Sequence, residues 1–204
     1  MIKKRAEGFT LIEVIISTAI FSMIAVGIVA LVSSILSSSN RQSNLLSDND
    51  QTRKLEFAII KELRNAKQAA DGAYALNTAS AQQLIFFTDN SGTLDRINYF
   101  IQNGVMKKGV THPSGNPPIY NLGNETVTTV QNDVANGANP IFNYYDDTYN
   151  GVTGNALTQP VNVTNVKFIN ISLSVFKKGG VSNTGTYTVS AGGAIRNLKT
   201  NLGN

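Results

Sequence analysis

Hydrophobic and polar positions divide this chain into three stretches. Residues 9–36 are almost continuously apolar, and from Val14 to Asn40 there is no charged residue. At 1.5 Å per residue, about 20 residues cross a bilayer, so this run is long enough to span one with some tilt. Gly27 sits inside it; in lipid, a glycine lets neighbouring helices approach. The polar cluster Ser33-Ser34 and Ser37-Ser38-Ser39-Asn40 marks the exit to water, and these weak helix formers predict a kink or local melting there.

Beyond it the apolar period changes from continuous to 3.6. Leu55, Ile59, Leu63, Ala66 and Ala70 define one face of a helix, with Leu45 as a candidate start. Lys54, Lys61, Glu62 and Lys67 fall on other faces, and Asp50 stands four residues before Lys54 in the favourable acid-to-base order. Asp71-Gly72 supplies the stop.

Residues 73–204 read as strands and turns. Residues 84–88 and 97–101 form a hairpin across Asp89-Asn90-Ser91-Gly92, and Asn103-Gly104 turns the chain again into residues 105–108. Residues 111–124 hold three of the five prolines and read as a loop. Strands follow at 126–130, 141–145, 166–176 and 186–190, with residues 194–198 as an extension. The alternation after Phe168 is the clearest of all. A helix followed by an antiparallel meander predicts an α+β fold, with a long N-terminal helix whose first half spans a membrane and whose second half packs on sheet.

One charge interrupts the start of the apolar run. Glu13 follows Gly8-Phe9-Thr10-Leu11-Ile12, behind a leader with Lys3, Lys4, Arg5 and Glu7. Charged side chains cost roughly 2.5 to 3.5 kcal/mol at the centre of an inserted helix, so a plain anchor would not carry one. An ordinary secretory signal has a shorter apolar core, with small residues at a cleavage site after it. Leader, glycine, aromatic and glutamate, in this order, resemble the N-terminus of the type IV prepilin family, which includes pilins and the pseudopilins of type II secretion.

That resemblance implies a pilin-like fold and a division into leader (1–8), transmembrane assembly helix (9–36), soluble continuation of the helix (37–72) and β-rich domain outside the cytoplasm (73–204). It implies cleavage after Gly8 by a prepilin peptidase, N-methylation of the new terminus at Phe9, and a Glu13 carboxylate that neutralises the terminal amine of an adjacent subunit. The implied partners are that peptidase, other pilins or pseudopilins, and an inner-membrane assembly platform. More diffusely, residues 53–66, Ile97-Asn98-Tyr99-Phe100, Phe142-Asn143-Tyr144-Tyr145-Asp146, the strand ending at Phe176 and Arg196-Asn197-Leu198 resemble J-type minor pseudopilins and W-type minor type IV pilins.

Composition narrows the chemistry. The formal net charge is +4, and loss of the leader would remove three cations and one anion, leaving +2. That is too little for strong attraction to nucleic acid by bulk charge. The chain has no cysteine and one histidine, His112, beside Pro113 in a loop, where a solvated role is expected. Zinc clusters and Cys–His or Ser–His catalysis have almost no material here. The absent cysteines also depart from the many major pilins that close a C-terminal loop with a pair, which leans toward a minor pilin or pseudopilin.

Three further groups are candidate sites. Asp89-Asn90-Ser91-Gly92-Thr93-Leu94-Asp95 offers oxygens but lacks the spacing of an EF-hand and reads as a turn. Asp146, Asp147 and Asn150 form a second oxygen-rich loop. Some pseudopilins bind calcium in loops of this region, which makes it the calcium candidate; no other cofactor is indicated. Tyr144, Tyr145 and Tyr149, with Lys107-Lys108 and Lys177-Lys178, are candidate contacts for a sugar, base or phosphate, against the plainer role of strand core and protected strand ends. The functional reading is a structural subunit of a pilus-like fibre or secretion pseudopilus, not an enzyme. The rivals are a tip adhesin or DNA-binding minor pilin, and a membrane-anchored periplasmic hydrolase for which no catalytic constellation is visible.

Overall fold

The computed structural model describes residues 8–90, 92–177 and 185–195, apart from the side chains of residues 41, 44, 45, 47 and 48. The basic leader, Leu45 as the start of the stripe, Ser91, Lys178 and Arg196-Asn197-Leu198 lie outside the described residues or side chains.

Helix α1 runs Leu11–Arg64, 54 residues. Its N-terminus is built by Thr10, whose hydroxyl oxygen accepts from the Glu13 amide at 3.4 Å while the Thr10 carbonyl accepts from the same amide at 3.1 Å. The segment Leu11–Asn40 has a mean hydropathy of 2.6 over its best window. Apolar on all sides, it suits lipid rather than one face of a core. The expected melting at Ser33–Asn40 does not occur, because the helix is continuous through it. Thr18 and Ser22 return their hydroxyls to carbonyls one turn back, which is how polar side chains remain in a membrane helix.

The chain divides into two compact units, residues 1–44 and 45–204. In the second, helix α1 presents Thr52, Glu56, Ile59, Ile60 and Leu63 to the interior. The expected stripe is right at Ile59 and Leu63, with Leu55 partly buried. Its end is corrected: the helix stops at Arg64, not near Ala70 or Gly72. There the backbone leaves the helix to pair with sheet. Ala66 bridges Thr88, and the Lys67 amide donates to the Phe87 carbonyl at 2.9 Å. Sheet hydrogen bonds replace those of the last expected helical turns, and Ala69 rather than Ala70 is buried.

The five-stranded antiparallel sheet is a meander of β1 (Leu76–Ala79), β2 (Gln83–Asn90), β3 (Thr93–Gln102), β4 (Val105–Thr111) and β5 (Thr126–Gln131). Asn103 and Gly104 adopt φ of 53° and 72° between paired Gln102 and Val105, the turn that Asn-Gly predicts. Strand β1 was not foreseen: it is four residues long, with an irregular register between Leu76 and Thr78.

The second sheet is β6 (Phe142–Tyr145), β7 (Phe168–Phe176) and β8 (Thr186–Ala194). On β7, Ile169, Ile171, Leu173 and Val175 point inward and Asn170, Ser172 and Ser174 outward. Strand β8 continues past the expected Ser190 through Gly192-Gly193. A Cβ at Gly193 would lie 2.7 Å from Ile60 Cγ2, so only glycine lets β8 close on the helix there. One apolar cluster joins Ile59 and Leu63 of α1 to Leu84, Phe86, Ile97 and Tyr99 of the first sheet and Phe142, Tyr144, Ile169 and Leu173 of the second. Buried Asn136 knits the loop before β6 to β7, accepting from the Ser174 amide and donating to the Ser172 carbonyl, both at 2.8 Å.

Candidate functional site

The N-terminal motif occupies the start of helix α1. Gly8, Phe9 and Thr10 precede the first helical residue, Leu11. Gly8 has nothing within 4 Å of where a Cβ would stand, and Phe9 is 82% exposed. The backbone on either side of the expected cleavage point is therefore open. Thr10-Leu11-Ile12-Glu13 has the residues of a capping box, with Thr10 as the cap and Glu13 three positions in. An acidic residue in the first turn interacts favourably with the positive end of the helix dipole. The Glu13 side chain is exposed and has no hydrogen bond or ion pair among the described residues. Glycine, open backbone, capped helix start and unpaired carboxylate thus fall within six consecutive positions.

The calcium candidates satisfy their own loop. Asp146 Oδ1 accepts from the Thr148 amide at 3.0 Å and its hydroxyl at 2.6 Å, which holds this carboxyl below the usual carboxylate range. Asn150 Oδ1 accepts from the Val152 and Thr153 amides at 2.9 and 2.7 Å. Asp147 is exposed beside them. Among the described residues, no group of three or more His, Cys, Asp and Glu side chains is assembled. At the other acidic turn, Asp89 accepts from the Gly92 amide at 2.9 Å and pairs with Lys67 at 3.0 Å.

The tyrosines separate. Tyr144 is fully buried and donates to the Ser80 carbonyl at 2.8 Å, a core role. Tyr145 and Tyr149 stack with centroids 4.0 Å apart, and Phe168 closes the cluster at 5.0 Å from Tyr149. The three rings pack on one another and hold the loop after β6 against the sheet. Lys177 follows β7, its amide bonded to the Gly185 carbonyl at 2.8 Å.

Three arrangements escaped the sequence reading. His112 is not simply solvated: its Nδ1 lies 2.6 Å from Oδ1 of fully buried Asp95. Glu62, off the apolar stripe as expected, accepts from Tyr99 Oη at 2.9 Å and from Lys108 Nζ at 2.5 Å, partners the sequence reading did not name. Burial, then the Glu62 charge, pushes the Tyr99 phenol well above its usual range. Glu56 is 1% exposed, and among the described residues neither of its carboxylate oxygens makes a hydrogen bond of good geometry. Burial pushes it from 4.5 up to about 7, against the weaker pull of the Leu173 amide and Arg53. A helix-face argument could have placed Glu56 inside, since it lies between Thr52 and Ile59. A carboxylate at that position reads as exposed on residue type alone.

No curated protein sequence matches the chain. A family model described as the prokaryotic N-terminal methylation motif matches residues 3–29, which cover the basic leader, Gly8, Phe9, Glu13 and the first part of the apolar helix. The motif marks a structural rather than an enzymatic family, implies peptidase processing and pilin partners in general, and fits a single-pass membrane anchor. With the apolar helix and the antiparallel sheets behind it, this match supports a type IV prepilin-like protein.

Proposed function

We propose that the chain is a minor pilin or pseudopilin subunit, of the J-type or W-type kind, built into a type IV pilus-like fibre or secretion pseudopilus. A prepilin peptidase cuts after Gly8, Phe9 is methylated, and the apolar helix holds the mature subunit in the inner membrane. The basic leader keeps the N-terminus cytoplasmic by the positive-inside rule, so the β-rich domain lies outside the cytoplasm. The subunit performs no chemistry on a substrate.

The observation that carries this reading is Glu13: an unpaired carboxylate in the first turn of a helix otherwise fit for lipid. An isolated carboxylate in hydrocarbon is costly, and pairing relieves it. Cleavage after Gly8 creates a matching amine on every mature subunit. Intact-mass measurement of protein expressed with its peptidase tests the reading. The expected product starts at Phe9 and carries one added methyl group. A mature start near Ser39, after the apolar run, would mean an ordinary secretory signal.

A further inference from the structure

The solvent face of α1 within the second unit carries an exposed stripe of cations around one aromatic ring. Arg53, Phe57, Lys61 and Arg64 recur at helical spacing, lie along one face, and are exposed. Lys54 adjoins them. Among the described residues, Lys54, Lys61 and Arg64 form no ion pair. Asp50 stands on the same face without pairing to Lys54 or Arg53. Phe57, in the middle of the stripe, is 66% exposed. Beside it a shallow hollow of about 380 Å³ is lined by Phe57, Ile60, Lys61, Arg64 and Asn65.

The helix dipole favours cations in the last turn and so accounts in part for Lys61 and Arg64. It does not account for Arg53, about three turns before the helix end, or for an aromatic ring left in water. An exposed aromatic flanked by arginine is the composition of a protein interface centre rather than of a solvated face. We propose that this stripe docks an acidic surface of a neighbouring fibre subunit, with an apolar side chain seated in the hollow against Phe57 and flanking carboxylates on Arg53, Lys61 and Arg64. This rests on the subunit reading above and adds which face of the helix recognises a neighbour and by what chemistry.

The charge pattern decides among occupants. A second copy of this helix face would bring cations to cations. Residues 196–204 carry Arg196 and Lys199 and no acidic side chain, so this segment does not complement the stripe. Single-stranded nucleic acid wants a series of aromatic platforms for successive bases, and the stripe has one ring.

A zero-length carbodiimide tests the contact, because it joins a lysine amine only to a carboxylate that touches it. The full-length chain is expressed with its own fibre genes, and its membranes are treated and mapped by peptide mass spectrometry. The expected product links Lys61 or Lys54 to an Asp or Glu of another subunit. Lys61→Arg keeps the charge but removes the reactive amine, so it should abolish the Lys61 adduct while assembly persists. Phe57→Ala, at an exposed position, should leave thermal unfolding unchanged and cut the adduct by about tenfold, the effect of losing a central aromatic anchor. Adducts confined to carboxylates of the same chain would overturn the proposal. So would a Phe57-dependent complex with a single-stranded oligonucleotide in place of the subunit adduct. A chain that keeps its leader or fails to co-fractionate with fibre subunits would instead sink the subunit reading, and this contact with it. A processed, co-fractionating chain without the adduct sinks the contact alone.

Discussion

Tyr99 on β3 donates its phenol hydrogen to Glu62 Oε2 on helix α1 at 2.9 Å, and Lys108 on β4 donates to the other oxygen of the same carboxylate at 2.5 Å. One side chain of the helix thus binds two neighbouring strands. The Lys108 ammonium also lies 5.5 Å from the Tyr99 ring centroid, within cation–π range. The polar atoms of this helix–sheet seam satisfy one another.

Tyr99→Phe should therefore destabilise the domain by about 1.5–3 kcal/mol, the range for a bond to a charged group when the ring itself remains. Denaturant unfolding of the parent and variant measures it. A double-mutant cycle with Glu62→Ala should show coupling, because both changes remove the same hydrogen bond. Additive effects would mean that the bond contributes nothing.

Glu56 gives the domain a pH dependence opposite to that of salt-bridged carboxylates. Its folded value is raised from 4.5 to about 7, so between these limits the folded chain holds a proton that the unfolded chain has released. Its contribution is then fully favourable below pH 4.5 and is lost as pH rises through 7. The full loss is about 3 kcal/mol from the size of the shift. Glu56→Gln should flatten the decline in stability between pH 5 and 8 and make the domain more stable than the parent at pH 8. Unfolding midpoints across this range check it, and an unchanged slope would place the pH dependence elsewhere.

The membrane half and the strands after β1 were legible because their signals are periodic and local. Asn103-Gly104 named its own turn, and Ile169, Ile171 and Leu173 announced the inner face of β7. What stayed hidden depends on partners distant in sequence. The helix end at Arg64 is set by the pairing of residues 66 and 67 with β2, and nothing in Ala66-Lys67-Gln68-Ala69-Ala70 forbids a helix. Asp95 and His112, 17 residues apart, meet because β3 and β4 are antiparallel neighbours. At the N-terminus the motif itself was legible, since leader, glycine, aromatic and glutamate follow one another closely in sequence.

The tight approach of β8 to the helix can be tested at Gly193. An added methyl group would stand 2.7 Å from Ile60 Cγ2, closer than packed carbons approach, in a region where Ile60 is buried. Gly193→Ala should cost about 1–3 kcal/mol through overpacking. Gly72→Ala meets no neighbour, but its φ of 86° makes alanine strained, so it should destabilise through backbone conformation instead. Ile60→Ala removes Cγ2, so it should cost less beside Gly193→Ala than alone, and its cost should simply add to that of Gly72→Ala. Thermal melts of the single and double variants separate these causes.

Calcium should leave the domain unmoved. The Oδ1 atoms of Asp146 and Asn150 already accept amide and hydroxyl hydrogens of their own loop. A cation would have to compete with those bonds for the same oxygens. A calcium site saturated at a hundred times its Kd would stabilise the fold by about 2.7 kcal/mol. Melting in chelator and in millimolar calcium should coincide. A rise in calcium that disappears in Asp146→Ala would show that the loop rearranges to bind it.

The sharpest prediction concerns Glu13. Its carboxylate sits in the first turn of α1, and the descending chain offers it no cation from residue 14 to residue 40. If cleavage after Gly8 frees an amine at Phe9, each mature subunit carries one buried cation and one buried anion, four residues apart on the sequence. Pairing the carboxylate of one subunit with the amine of the next relieves the burial cost of both and fixes their axial offset. Glu13→Ala should leave cleavage intact, because Gly8 and Phe9 are unchanged. It should also leave unfolding of the β-rich domain intact, because that domain's core begins some forty residues later, at Thr52 and Ile59. Only incorporation beside other subunits should fall. Crosslinking to neighbouring subunits in membranes reads this directly. Glu13→Gln separates charge from shape: it keeps the side chain and removes the ion pair, so it should behave like alanine. If either variant crosslinked as well as the parent, the pairing would be wrong, and the carboxylate would need a different reason to lie in lipid.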